Sequence, residues 1–374
     1  MRKLLALLLF TGRIWAYSYQ ASVAVPAPTS GPYSNFTFCF TVTDSTRLKS
    51  VGSGGQIQHS ATRSYGSFTQ TVPADFIVTS DAGHTSLLNW DIKYWDQSAG
   101  KVYACARIPT YSGATTIYAT YGDSSISTWQ GGAAGTAYDS NTKGAWLMGD
   151  GSTVMLADFS TTGAHATNSG ATATSGSFDG AESFGGSAGA SAGANQTPLQ
   201  PTAALTVSCA IKLNSTSQNS FAWAVTQDYT TSRSSPFSAY ALMTNDSGSS
   251  VWSFWYDAGG GTNRITYSGA RDTNWHYVSG TFTSGAQALY VDSATPVATG
   301  TVTGSLSYNS TGVFTFGRNS DGSENINAQL GRCRVSSVVR SAGWIADEGA
   351  NWLNPPAAGG SSLISGGASQ VQIF

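Results

Sequence analysis

The sequence predicts an all-β protein made of two β-sandwiches, and three observations carry that expectation. Short runs rich in Thr, Tyr, Phe and Val recur between clusters of Gly, Ser, Asn and Asp, the punctuation of strands and turns. Some runs alternate strictly: Phe36, Phe38, Phe40 and Val42 fall on one face, with Thr37, Cys39 and Thr41 on the other, the pattern of a half-buried strand. Charged residues make up only 10% of the chain against 12% aromatics, so the chain is not a disordered one despite its Ser, Thr and Gly content. At 374 residues it is long enough for more than one sizeable core. A net charge of −2 offers no basic field for nucleic acid or an anionic membrane.

The elements follow in order. Residues 1–16 read as an export signal: Arg2 and Lys3 precede the apolar run Leu4–Phe10, and Ile14-Trp15-Ala16 ends on a small residue. That run is far too short to span a bilayer, and no other segment is apolar enough to do so. A secreted, periplasmic or cell-surface location is expected. Residues 17–127 form the first sandwich, with strands within Phe36–Val42, Asp75–Asp96 (turning at Asp81-Ala82-Gly83), Lys101–Pro109 and Thr115–Asp123. Residues 128–356 form the second. Its main strands are expected at Leu205–Leu213, Phe221–Thr226, Tyr240–Thr244, Val251–Tyr256, Arg264–Tyr267, His276–Phe282, Ala288–Asp292, Val313–Gly317 and Leu330–Val335, followed by a helical pattern from Ser341. The small, polar tract Gly185–Asn195 reads as an exposed loop. The Gly/Ser-rich residues 357–374 read as a flexible tail.

Two stretches resemble known families. Phe76–Asp81, Leu88–Asp96, Gly100–Pro109 and Thr115–Gly122, in that order, resemble the DUF2341 family of bacterial surface and secreted proteins. This resemblance implies a small β-sandwich and gives no reaction. Trp275–Phe282 (WHYVSGTF), Leu289–Pro296 (LYVDSATP) and Leu330–Asn351 resemble the end of a laminin-G-like jelly roll of the concanavalin A-like lectin/glucanase superfamily. That implies a jelly roll that presents a surface to glycans. The family often carries an acidic pair in its closing strand; this chain has Gly331-Arg332-Cys333 there, so no role tied to those acids carries over. First and last strands of such a jelly roll often lie side by side. This points to one bridge per sandwich, Cys39–Cys105 and Cys209–Cys333, although four cysteines can pair in other ways.

Glycoside hydrolysis needs two carboxylates facing the same bond. Glu182, Glu324 and Glu348 are the only glutamates, and none has a carboxylate two or four residues away. Asp150, Asp158, Asp257, Asp292 and Asp321 fall mostly in turn contexts, and neither a Gly-x-Ser-x-Gly elbow nor a His-Glu-x-x-His helix is present. His276 reads as a structural histidine, and His59, His84 and His165 as solvated ones. The expectation is a non-catalytic protein. Calcium is a possible ligand where Asp321, Glu324 and Asn325 crowd one loop, and Asp150 and Asp158 bracket another; solvated Asp-Gly turns are the alternative.

Sugars stack on aromatic faces flanked by hydrogen-bonding groups. Trp252, Phe254 and Tyr256 share a face that reads as core, which leaves Trp255, with Tyr229 in a polar loop, as candidate ligand-binding residues. Ordinary packing is the competing explanation for both. The leading expectation is therefore binding of a glycan or cell-surface polysaccharide through the second sandwich. An adhesive protein with a protein partner is one alternative, and a divergent polysaccharide hydrolase or lyase another. An open aromatic groove on the concave sheet would favour sugar; a plugged face would favour a protein partner.

Overall fold

The computed structural model describes residues 17–194, 196–230, 237–269 and 271–362. The expected export signal at 1–16 and residues 363–374 lie outside these. The described chain is all-β and stacks its sheets as two sandwiches. In the first, one sheet orders Ser361–Ser362, Tyr19–Val25, Thr115–Tyr121 and Ile77–Thr79; the other orders Ala357–Gly359, Tyr33–Thr43, Lys101–Tyr111 and Asn89–Asp96. The hairpin Ser60–Tyr65/Phe68–Pro73 lies beside the strand Asn89–Asp96.

Alternation explains one face of Tyr33–Thr43: Phe36, Phe38, Phe40 and Val42 sit in the first core with Val102, Ala104, Ala106 and Ile108. The opposite face is not solvated as a half-buried strand requires. Thr37, Cys39 and Thr41 are buried as well, because the second sandwich and a helix pack over them. Cys39 stands directly opposite Cys105 and is bonded to it.

The second sandwich faces a seven-stranded sheet against an eight-stranded one. The seven-stranded sheet runs Thr167–Ser169, Gly189–Ala194, Val313–Phe316, Ala222–Asp228, Ser238–Asn245, Trp252–Ala258 and Gly261–Tyr267. The other runs Thr172–Ser175, Gly180–Gly185, Asn327–Ser336, Ala204–Leu213, Trp275–Thr283, Ala286–Val291 and Ala298–Gly300, with Thr142–Trp146 added alongside Asn327–Ser336. This is a jelly roll closed on one core. Trp252, Phe254 and Tyr256 lie in that core, as their shared face predicts. First and last main strands are neighbours, with Cys209 opposite Cys333 and bonded to it.

Two expectations are corrected. The tract expected as a loop at Gly185–Asn195 contains the strand Gly189–Ala194, whose Ala190 and Ala192 enter the core with Ala188. Small residues have weak strand preference of their own, so neighbouring strands decide their state. Residues 357–362, expected as part of a flexible tail, form two strands. Ala357–Gly359 runs parallel to Tyr33–Thr43, and Ser361–Ser362 pairs antiparallel with Tyr19–Val25. Unpaired N–H and C=O groups at a sheet edge attract any extended segment within reach, and these six residues close the same side of both sheets.

The helix Ala342–Leu353 joins the sandwiches. The Ser341 hydroxyl caps it by accepting the Trp344 N–H at 3.3 Å. Trp344 packs into the first core against Tyr33 and Phe36, whereas Ile345 and Trp352 pack on Ala210, Tyr277 and Tyr290 of the second sandwich. The Asn351 amide accepts from the Cys39 N–H and donates to the Cys39 carbonyl, both at 2.8 Å, in place of a neighbouring strand.

His276 pins the rim of the eight-stranded sheet, lying 2.6 Å from Asp292 and 3.0 Å from Asp272. Bonding to Asp292 raises its pKa, against the opposing effect of burial, with help from Asp272. The folded state thus binds this proton more tightly than the unfolded chain. Its stabilisation is complete below the usual histidine range and is lost as pH rises through the raised folded value. The substitution His276→Gln should cost stability at pH 5.5 but much less at pH 9, by about 1 kcal/mol or less given partial exposure. Chemical denaturation at the two pH values measures the gap; a constant gap would refute the assignment.

Candidate functional site

Charges meet where the two sandwiches touch. Arg334 binds Glu348 through one nitrogen and Asp139 and Thr142 through another. Arg340 grips both Asp139 oxygens, at 2.8 and 2.7 Å, and Tyr277 donates to Glu348 at 2.7 Å. Burial alone would raise the Asp139 pKa; the Arg340 hydrogen bonds and the Arg334 charge hold it instead at about 2. The Arg332 guanidinium is 2% exposed and stacks on Phe178, its carbon 3.8 Å from the ring centroid. Burial drives its pKa down to about 9. The ion pairs tie the helix to the second sandwich, and Phe178, which also meets Tyr103 and Lys93, carries contact to the first.

Beside this junction lies a cleft of 480 Å³ with one wall from each sandwich. The first sandwich contributes Tyr65, Phe68 and Gln70 from the hairpin, and Lys93, Tyr94 and Asp96 from the strand Asn89–Asp96. The second contributes Asp150 and Thr153–Met155, a lip leading out of the strand Thr142–Trp146. A register shift between Ile92 and Tyr94 marks Lys93 as a bulged residue. Gln70 donates to the Ile92 carbonyl and so caps the strand's free edge. Tyr94 is half-buried, and its ring lies 6.1 Å from that of Tyr103. Tyr65 is 2% exposed, and its hydroxyl has no hydrogen-bond partner among the described residues.

The floor is charged but internally tied. Lys93 is 1% exposed; its nitrogen donates to the Phe178 carbonyl at 3.0 Å. Burial drives its pKa far below an ordinary lysine, although the charges of Asp179, Glu182 and Asp150 oppose this. Burial likewise pushes Asp179 up, with Lys93 acting against it. Glu182 is fully buried behind the lip. It accepts the Met155 N–H at 2.8 Å, and burial raises its pKa to about 7. Gly149, at φ +61°, allows the lip to fold over it: a Cβ there would lie 2.8 Å from the Glu182 oxygen. The carboxylates that line the cleft are Asp96 and Asp150. One oxygen of each caps a local turn, through Ser98 and Ala99 and through Ser152 and Thr153 respectively.

The residues singled out from the sequence lie elsewhere. Trp255 is 7% exposed rather than an open platform, because it closes a cluster on the outer face of the seven-stranded sheet with Trp223, Ala241 and Met243. Its N–H donates to Asp246 at 2.9 Å. That face is filled, not grooved. Tyr229 is half-buried at the end of the strand Ala222–Asp228. Asp321, Glu324 and Asn325 each have local partners. Asp321 accepts from Ser323, Glu324 accepts from Trp223 at 2.6 Å, and the Asn325 amide reaches the Gly322 carbonyl. Among the described residues no three His, Cys, Asp or Glu side chains gather as a metal site. Asp158 is consumed by the N–H groups of Ala145, Ser160 and Ala164. The sequence reading missed Lys93 and Tyr94. A lone lysine amid Trp90, Ile92, Tyr94 and Trp95 was the available signal.

Residues 184–346 match the family model of the concanavalin A-like lectin/glucanases superfamily. The match does not reach residues 17–127. No curated protein matches the chain. Among solved structures, domain 4 of an extracellular arabinanase from Geobacillus stearothermophilus, in complex with arabinotriose, is similar at 12% identity and a TM-score of 0.40, over 56% of this chain and 98% of that one. The binding domain of Paraclostridial Mosquitocidal Protein 1 gives 11% identity and a TM-score of 0.44, over 57% of this chain and 55% of that one. The ligand-binding domain of botulinum neurotoxin serotype D, in complex with N-acetylneuraminic acid, gives 13% and 0.42, over 57% and 54%. The chain spans about half the length of the two toxin domains.

Proposed function

We propose that this is a secreted, non-catalytic carbohydrate-binding protein whose ligand occupies the cleft between the sandwiches. The observation that carries the reading is the cleft itself: aromatic rings of Tyr65, Phe68 and Tyr94 beside hydroxyl, amide and carboxylate groups, in a volume suited to a few sugar units. The lectin-like family match over residues 184–346 supports the class of ligand. The first sandwich, which supplies one wall, is read as DUF2341-type on the resemblance of its sequence alone. Two buried disulfides and the export-like start of the sequence support secretion. The non-catalytic reading is supported by Glu182 being sealed behind Met155, so that this carboxyl, with its raised pKa, does not line the cleft.

Affinity electrophoresis in gels containing soluble polysaccharides tests this. The intact protein should be retarded by at least one neutral polymer, and Tyr94→Ala should lose about tenfold in affinity, the worth of one stacking ring. Retardation unchanged in Tyr94→Ala would remove the cleft from the reading. A second reading, adhesion to a protein partner, is favoured by the filled outer face around Trp223 and Trp255. Cross-linking to surface-protein extracts would support it if Trp255→Ala abolished the product while polysaccharide binding was absent throughout.

A further inference from the structure

The cleft carries a charge pattern that narrows its ligand, resting on the carbohydrate-binding reading. Its two lips each present a carboxylate, Asp96 from the first sandwich and Asp150 from the second. Asp96 uses Oδ1 for Ser98 and Ala99, and Asp150 uses Oδ1 for Ser152 and Thr153. Among the described residues the second oxygen of each caps no turn. The cation in the lining, Lys93, keeps its charge while donating to the Phe178 carbonyl, but it is outnumbered: Asp179, Glu182 and Asp150 all act on it, with Arg332 also nearby. Lys101 is near Asp96 but lies over the Tyr103 ring, 4.6 Å from its centroid, outside the lining.

We infer that the cleft selects sugars by charge: it excludes uronate and sulfated chains, accepts neutral ones, and prefers those bearing a protonated amino group beside the ring. The physical reasons are two. A ligand carboxylate placed between Asp96 and Asp150 would meet like charge in a partly desolvated space, which costs affinity steeply. A protonated amine there would gain both carboxylates and the faces of Tyr94 or Phe68.

The test is affinity electrophoresis of the full chain at low and high salt against chitosan, a neutral soluble β-glucan and polygalacturonate. The expected order of affinity is chitosan, then β-glucan, with polygalacturonate at least about tenfold weaker than the glucan at low salt. Added salt should weaken chitosan binding and leave the glucan little changed. The paired substitution Asp96→Asn and Asp150→Asn keeps the turn-capping oxygens. It should abolish the chitosan preference and bring polygalacturonate to within about threefold of the glucan. Circular dichroism of the variant confirms its fold. Polygalacturonate binding as tightly as the glucan in the unaltered protein would overturn the inference while leaving carbohydrate binding intact. So would a preference order unchanged in the double variant. Retention by none of the three polymers would sink the carbohydrate reading, and this inference with it.

Discussion

Replacing Glu348 with alanine should destabilise the protein by about 3–5 kcal/mol, the cost of leaving a buried charge without its partner. Arg334 is 2% exposed. Burial works against its charge, and Glu348 and Asp139 together raise its pKa above that of an ordinary arginine. With Glu348 gone, Asp139 must serve Arg334 and Arg340 alone, and the Tyr277 hydroxyl loses its acceptor at 2.7 Å. Tyr277, Trp352 and Ile345 pack together beside the helix, leaving an apolar surrounding that disfavours replacement of the carboxylate by water. The loss should appear in a single unfolding transition, since Ala342–Leu353 packs into both sandwiches and a failing junction releases both. Urea denaturation followed by tryptophan fluorescence measures it. Replacing Arg334 and Glu348 together with methionine should recover most of the loss, because an apolar pair of similar volume removes the desolvation cost of both ions. A loss below about 1 kcal/mol for Glu348→Ala would show that water reaches the site. Two transitions would show that the sandwiches unfold independently.

The same junction shows where a linear reading succeeds and where it stops. Period-two alternation was legible, and it places Phe36, Phe38 and Phe40 in one core and Trp252, Phe254 and Tyr256 in the other. Such patterns are local: each residue's face follows from its neighbours in sequence. The cleft is not local. Tyr94 and Asp150 line it together although they belong to different sandwiches. Trp255 misleads for a related reason. Its alternation correctly takes it off the core face, but alternation cannot show that Trp223, Met243 and Phe221 would cover it. Lys93 was hidden differently. The strand that holds it is interrupted by a register shift, which period-two alternation does not anticipate, and its nitrogen reaches the Phe178 carbonyl. Ala190 and Ala192 failed to announce a strand because their side chains are too small to carry a hydrophobic signal.

Removing the Cys209–Cys333 bridge by paired alanine substitution should cost about 4–5 kcal/mol in the chain-entropy model, from the long loop it closes. The sequence separation is 124 residues, against 66 for Cys39–Cys105, so the second bridge restricts the unfolded chain more. The logarithmic dependence on loop length makes that difference small, under about 1 kcal/mol. Context should therefore rank the two bridges. Cys209 and Cys333 lie at 0% and 1% exposure in the large second core, joining Ala204–Leu213 to Asn327–Ser336. Cys39 and Cys105 face the junction, where Asn351 already fixes the Cys39 backbone. Alanines in the larger core would lose more packing, since fewer of their neighbours can close in on the vacated volume. Both bridges are also shielded from reductant while the protein stays folded. Dithiothreitol under native conditions should leave them intact for as long as unfolding is slow, and loss of structure should then follow at the unfolding rate. Thiol trapping with mass spectrometry over time, beside melting curves of the two alanine pairs, checks both points. Rapid reduction with the fold retained would mean that the sulfurs are reached through local opening. A loss below about 2 kcal/mol for the 209/333 pair would mean that the interlocked sheets already restrict the unfolded ensemble.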